Sequence, residues 1–178
     1  MRIISGVAKG RRLHRPANWA IRPTSDRVRE NLFNILMPRI AEARFLDLFC
    51  GSGAVGIEAL SRGASHCTFI DNDDSALNLT RRNLELCQLA VDGLLFRSSI
   101  PEQLRLQPRP FDIIFADPPY AFTSYEKLLQ VLVELCYLAP DGLVILETSR
   151  KAALPEAVGQ LDQQQQRLYG DAVLTFFT

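Results

Sequence analysis

The chain has 178 residues, of which 47% are hydrophobic and 22% charged, and its formal net charge is zero. That length and balance suit one globular domain with its own core, and they exclude a disordered, collagenous or disulfide-stapled chain. The longest apolar runs, such as "IIFA" and "GLVIL", fall far short of the roughly 20 residues a membrane-spanning helix needs. The start, "MRIISGVAKGRRLHRP", lacks the apolar stretch of a signal peptide, so a soluble cytoplasmic protein is expected.

The charge is unevenly spread. Residues 1–44 hold ten Arg or Lys against three acids (Asp26, Glu30 and Glu42), a net of +7, and the remainder carries −7. A basic arm on an acidic body points to a polyanion. Nine of the ten basic residues are Arg, whose planar fork suits phosphate, which favours nucleic acid. Cys50, Cys67, Cys87 and Cys136 form no C-x-x-C pair, and His14 and His66 stand alone, so reduced thiols and no bound metal are expected.

In chain order, "RII" and "RRL" flank "SGVAKG" as a small hairpin. "PTSDRVRENLFNILMP" is a helix, capped by Thr24 or Ser25 and stopped by Pro38, with Val28, Leu32, Ile35 and Leu36 as its buried stripe. Arg27 and Arg29 fall off that stripe. From residue 44 strands and helices alternate. "RFLDLF" is a strand, "AVGIEALSRG" a helix, "HCTFID" a strand and "SALNLTRRNLELC" a helix. "GLLFR" and "PFDIIFA" are strands with a short helix near "IPEQL" between them. "SYEKLLQVLVELCYL" is a helix, "GLVILET" a fifth strand, and "QRLYGDAVLTFF" a hairpin turning at Gly170-Asp171. "DQQQQ" reads as a polar surface segment. Such alternation predicts an α/β fold with right-handed crossovers and a mostly parallel sheet, closed by an antiparallel C-terminal strand.

Two stretches carry chemistry. "FLDLFCGSGAVGIEAL" sets Gly51, Gly53 and Gly56 in a G-x-G-x-x-G pattern between strand and helix, where a ligand can approach the backbone. Asp71, at the end of the second strand, is placed to accept ribose hydroxyls. Nicotinamide cofactors and S-adenosyl-L-methionine both suit this arrangement, and Asp47 separates them. A carboxylate is unwelcome beside a pyrophosphate but suits an ammonium and a sulfonium. "DLFCGSG" therefore reads as a methyl-donor site.

The second stretch is "IIFADPPYAF". Each residue before a proline is pushed toward extended backbone, and Pro118 and Pro119 have no N–H, so this edge offers only acceptors. Asp117 and the Pro118 carbonyl suit the two hydrogens of an exocyclic amine, aiming its nitrogen at a methyl donor, while Tyr120 can stack on the base.

"DLFCGSG" with "DPPY" resembles the class I amino-methyltransferases that use S-adenosyl-L-methionine. With "RIISGVAKGRRL", "RPTSDRVRENLFNIL" and "DLFCGSGAVGIEALSRGA", the whole chain resembles the ribosomal RNA small subunit methyltransferase D family. The resemblance implies a Rossmann-like fold with a seven-stranded sheet and helices on both faces. It also implies methylation of a guanine N2 amine in 16S rRNA, within the small ribosomal subunit or its late assembly intermediate. A basic extension, residues 1–43, would precede the methyltransferase domain, residues 44–178. Asp117, Pro118, Pro119 and Tyr120 would form the catalytic edge. Asp47, Phe49, Gly51, Ser52, Gly53, Asp71, Asn72, Ser98 and Ser99 would hold the donor. Relatives of the fold often carry an acid near the donor adenine, where this chain has Ser98 and Ser99, with Glu102 close by. Lys9, Arg11, Arg12, Arg15, Arg22, Arg27 and Arg29 would touch RNA, and Thr24 and Arg27 would help close the pocket. A monomer, free of metal and membrane, is expected.

Other readings meet difficulties in the sequence. An adenine-N6 methyltransferase of DNA or RNA would use "DPPY" equally well, but the chain has little length for a target-recognition region. A glutamine methyltransferase leaves the Arg-rich arm unexplained. A nicotinamide-dependent oxidoreductase leaves Asp47 and "DPPY" unexplained, and a non-catalytic RNA-binding module uses the arm alone.

Overall fold

The computed structural model describes residues 1–15, 26–106 and 109–178. Its elements are α1 (Asp26–Leu36), β1 (Arg44–Leu48), α2 (Ala54–Ser61), β2 (His66–Asp71), α3 (Asp74–Cys87), β3 (Gly93–Arg97) and β4 (Phe111–Ala116). They continue with α4 (Tyr125–Glu134), β5 (Leu138–Ser149), β6 (Ala157–Val158), β7 (Leu161–Tyr169) and β8 (Ala172–Phe177). The strands form one sheet in the order β3-β2-β1-β4-β5-β8-β7-β6. β3 through β5 pair in parallel, and β8, β7 and β6 add antiparallel. This is the expected Rossmann-like α/β architecture with eight strands in place of seven. The added strand is the two-residue β6.

Side-chain alternation divides the core. Phe45, Phe69, Phe115 and Ile145 pack on one face with α1, α2 and α3, while Leu46, Leu48, Ile114 and Leu146 pack on the other with α4. Both faces of the central strands are therefore covered, as parallel strands require. The N-terminal arm joins the first face through Ile3, Ala8 and Leu13. Its expected hairpin is reduced to a single Arg2–Arg12 bridge. Among the described residues no helix is long and apolar enough to cross a membrane.

Four local expectations need correction. Residues 100–104 make turns and no helix, with the Gln103 N–H donating to the Ser99 carbonyl. α4 stops at Glu134, because Cys136 takes a left-handed φ of 51° and the Tyr137 carbonyl accepts from Phe111 N–H at 2.7 Å, alongside β4. "DQQQQ" is surface as expected but belongs to strand β7, drawn into the sheet by its ladder to the apolar β8. In α1, Phe33 is fully buried where Ile35 was expected, and Arg29 is buried too. Thr24 and Ser25, the expected caps, lie outside the described residues.

Arg29 is 0% exposed and anchors the arm to the domain. Its guanidinium donates to the Arg2 carbonyl and to Asp26, and lies 3.6 Å from the buried Glu58 carboxylate on α2. Glu58 also accepts from the Ile4 and Ser5 N–H groups at 2.7 and 2.9 Å and from Arg62 at 2.8 Å. Burying a carboxylate requires that its attraction to partners and hydrogen bonds offset desolvation, and here four groups converge on one. Glu58→Ala leaves Arg29 without its buried counter-charge, only the half-exposed Asp26 remaining, and the expected loss is about 3–5 kcal/mol in urea denaturation. A loss below about 1 kcal/mol, the range of an exposed pair, would contradict this role.

Candidate active site

The sheet order reverses between β1 and β4, and open α/β sheets bind ligands beyond the strand ends at such a point. A cavity of about 690 Å³ lies there, within the range of small-molecule sites. The glycine loop and the start of α3 form one wall, Asp117 to Tyr120 another, and Glu147 to Ser149 with Tyr169, Asp171 and Ala172 a third. Arg15 from the arm, Val28 from α1 and Arg82 from α3 reach it as well.

The loop between β1 and α2 is held by side chains. Phe49, Gly51 and Gly53 all take left-handed φ values, of 59°, 54° and 73°. A Cβ on Gly53 would lie 2.6 Å from Thr80, so this glycine serves both conformation and packing. Asp71 accepts from the Gly51 N–H at 2.9 Å and from the Asp73 N–H at 3.0 Å, one on each oxygen. Thr80 donates to the Gly51 carbonyl at 3.0 Å, and Asn83 to the Ser52 carbonyl at 2.9 Å. Each Asp71 oxygen keeps acceptor capacity beyond its backbone bond, which fits a pair of ribose hydroxyls.

Asp47 lies beneath the loop. It shares the α2 face of β1 with Phe45, is 2% exposed, and accepts from the Gly56 N–H in the first turn of α2 at 2.9 Å. Burial raises its carboxyl from the ordinary 3.8 to about 8, against the Gly56 hydrogen bond and helped by the Asp71 charge. The sequence reading made it a counter-charge for the donor, and the structure places it on the cavity floor, buried and with its carboxyl raised. Burial also pushes the Cys50 thiol well above its ordinary range, with Asp47 and Asp71 adding to it, so this cavity-lining cysteine is no nucleophile at neutral pH.

On the opposite wall, β4 ends at Ala116 and the Asp117 N–H donates to the Leu48 carbonyl at 3.4 Å, tying the acid to the end of β1. Phe122 closes the turn by donating to the Pro119 carbonyl at 2.8 Å. Its ring packs edge-on against Phe49 and Tyr125, so Phe49 is at once cavity lining and support for the proline turn. Tyr120 stands 76% exposed at the rim, as a stacking platform would.

Of the expected donor residues, Asp47, Phe49, Gly51, Ser52, Asp71 and Asn72 line the cavity together with all four residues of "DPPY". Gly53, Ser98 and Ser99 do not line it. Ser98, just past β3, donates its backbone N–H to the Asp71 carbonyl at the end of β2, and Asp73, Ser75, Ala76, Asn78 and Leu79 supply the wall. Lys9, Arg11, Arg12, Arg15 and Arg27 are exposed. Arg29 is withdrawn from the RNA-facing set by its burial, and Arg22 lies outside the described residues. Glu147, Asp171 and Arg82 were missed, since an acid ending an apolar strand and a charge on a helix have no local signature.

The buried Asp47 carries a pH signature. Unfolded, its carboxyl ionises near 3.8, and folded, near 8. Between those values the folded chain holds a proton that the unfolded chain has lost, so this group's contribution to stability falls as pH rises and levels off above 8. Asp47→Asn stays neutral throughout. Its stability relative to wild type should rise by up to about 1.4 kcal/mol per pH unit across that window, read from urea denaturation at several pH values. A difference that stays flat with pH would refute the assignment.

A family described as "Conserved hypothetical protein 95" matches residues 1–178. Ribosomal RNA small subunit methyltransferase D of Haemophilus influenzae is 39% identical over 157 residues, covering 86% of this chain and 81% of that one. The protein of the same name from Escherichia coli K12 is 34% identical over 177 residues, covering 99% and 89%. The solved structure of yhhF from Escherichia coli matches with a TM-score of 0.88 at 34% identity, over 99% of this chain and 96% of that one. The chain belongs to the ribosomal RNA small subunit methyltransferase D family.

Proposed function

We propose that this chain uses S-adenosyl-L-methionine to methylate the exocyclic N2 amine of a guanine in 16S rRNA. Guanine 966 is the target that family resemblance suggests. The substrate is the small ribosomal subunit or a late assembly intermediate, and the enzyme acts as a cytoplasmic monomer. Residues 1–43 make the RNA contact and residues 44–178 form the methyl-donor domain. One observation carries this reading: a single cavity joins the glycine loop and Asp71 to the acceptor edge of Asp117 and Pro118. A donor wall and an amine wall face the same space.

When bound, the donor supplies an electrophilic methyl group whose bond to sulfur breaks as the bond to the amine nitrogen forms. The protein's own residues do the rest. Asp71 accepts the ribose hydroxyls while holding Gly51, so donor binding and loop geometry share one carboxylate. Asp117 and the Pro118 carbonyl each accept a hydrogen bond from one amine hydrogen, which orients the nitrogen and favours the positive charge developing on it, and the one proton the methylated amine sheds passes by way of Asp117 to solvent. Tyr120 stacks on the base, which has left its helix because an amine inside a duplex is out of reach. Arg11, Arg12 and Arg15 lie along the phosphates.

The test is transfer of labelled methyl from S-adenosyl-L-methionine to undermethylated small subunits, with naked 16S rRNA, DNA and bulk protein alongside. Label should appear as N2-methylguanine. Label in methyladenine would overturn the target, and transfer to none of them would overturn the reading. Asp117→Ala should lose turnover by about 10²-fold or more with donor binding retained, since it acts on the amine. Undiminished turnover would remove Asp117 from the mechanism. Reversing Arg11 and Arg12 to Glu should weaken subunit binding and lower the slope of log affinity against log salt by roughly 1–2, and an unchanged slope would place these residues off the RNA.

A further inference from the structure

We infer that Arg82, to which the mechanism above gives no task, holds an RNA phosphate flanking the target nucleotide at the cavity mouth. The inference rests on the rRNA-methylation reading and adds a substrate-binding residue to the same site.

α3 runs along the cavity. Ser75, Asn78, Leu79 and Arg82 all line it, at the i, i+3, i+4 and i+7 spacing of one helical face. Arg82 is also exposed, so it belongs to the cavity and to the surface at once. Among the described residues its guanidinium has no hydrogen bond or ion pair, whereas the adjacent Arg81 donates to Asn78 at 2.8 Å.

The next residue fixes where Arg82 stands. Asn83 holds the His14 backbone by both its N–H and its carbonyl, at 2.8 and 3.2 Å. Arg82 and Arg15, each one residue from that contact, therefore reach the cavity from neighbouring backbones. Met1 adds a further cation. Its sulfur accepts from the hydroxyl of the cavity-lining Ser52 at 3.6 Å. Its α-amine is held below the ordinary range, first by partial burial and then by the Arg15 charge. Asp26 opposes this but is already paired with Arg29, and Arg29 and Arg12 add to it. Cations grouped in this way repel one another, and an anion seated among them offsets the repulsion.

The substrate brings such an anion. To present its amine to Asp117, the target nucleotide swings out of its stack by turning about its backbone. The base enters the cavity while the phosphates on either side of it stay at the mouth. A guanidinium fork matches two phosphate oxygens, and an exposed arginine can follow the strand as it arrives. Holding that phosphate favours the extruded nucleotide over the stacked one, so the contact raises kcat/KM.

The test pairs a variant with a neutral backbone. Arg82→Gln keeps a long polar side chain and removes the charge. Undermethylated small subunits are reconstituted on 16S rRNA carrying a methylphosphonate on the 5′ or the 3′ side of the target guanine. For wild type, one of the two neutral linkages should lower kcat/KM about five- to tenfold relative to an ordinary backbone. Arg82→Gln should show that loss already on the ordinary backbone, and the neutral linkage should then cost it less than about twofold more. Its slope of log affinity against log salt should fall by roughly 0.7–0.9. Its affinity for S-adenosyl-L-homocysteine should be that of wild type, as a general loss of structure would not allow. A marked fall in that affinity would assign Arg82 to the donor carboxylate, and losses that add in full would take it off the flanking phosphate. Either result overturns the inference. Wild type that transfers no methyl to subunits with an ordinary backbone overturns the reading beneath it, which keeps the two failures apart.

Discussion

The chain must turn from the end of β1 into α2 beside an open cavity, and the backbone groups of that turn have few partners on the main chain. Four side chains supply them. Asp71 accepts from Gly51, Thr80 and Asn83 donate to the carbonyls of Gly51 and Ser52, and Asp47 accepts from Gly56. A polar group left unmet in such a place costs on the order of 1–3 kcal/mol, so the loop's shape depends on these partners. The carboxylate that holds the loop, Asp71, also lines the cavity, so loop shape and cavity wall depend on one side chain.

Asn83 extends that constraint to the arm. Fully buried on α3, it exchanges hydrogen bonds with the His14 backbone, accepting its N–H at 2.8 Å and donating to its carbonyl at 3.2 Å, while donating to Ser52 on its other side. Arg15, next in the chain, is thereby presented at the cavity wall. Glu58 performs the matching task at the start of the arm through Ile4 and Ser5. The basic segment is thus no loose tail between residues 1 and 15. It is fastened at several points to the helices that flank the glycine loop, through Glu58, Ser61 and Asn83, which fixes its exposed arginines relative to the cavity.

The acids around the cavity are sorted by environment. Asp47 is buried beneath the loop, and burial raises its carboxyl to about 8. Asp73 caps α3 and is held below its ordinary range by hydrogen bonds from Ser75. Asp117, just past β4, and Glu147, within β5, both line the cavity. One residue type therefore serves as strut, cap and ligand acceptor, and burial and hydrogen bonding decide which.

Much was legible in the sequence because it is local. β2 and β3 were read to their exact ends from apolar runs bounded by turn residues, and β1 and β4 to within a residue. Gly51 and Gly53 before a helix, and two prolines after an apolar run, constrain their own backbone, so both walls of the cavity could be read from short stretches. What the sequence could not supply was lateral. Arg29 is withdrawn from solvent beside Glu58 on another helix, the Asp47 carboxyl is raised by burial in the assembled core, and "DQQQQ" becomes strand because β8 pairs with it. Glu147 sits in an apolar strand like any polar residue, and only the assembled sheet brings it to the cavity that Asp117 also lines. Local backbone preference and hydrophobic period determine elements and turns, since each acts over a few residues. The partners of a buried charge and the neighbours across a sheet are decided only when distant segments meet, because burial and electrostatic coupling depend on distance in space.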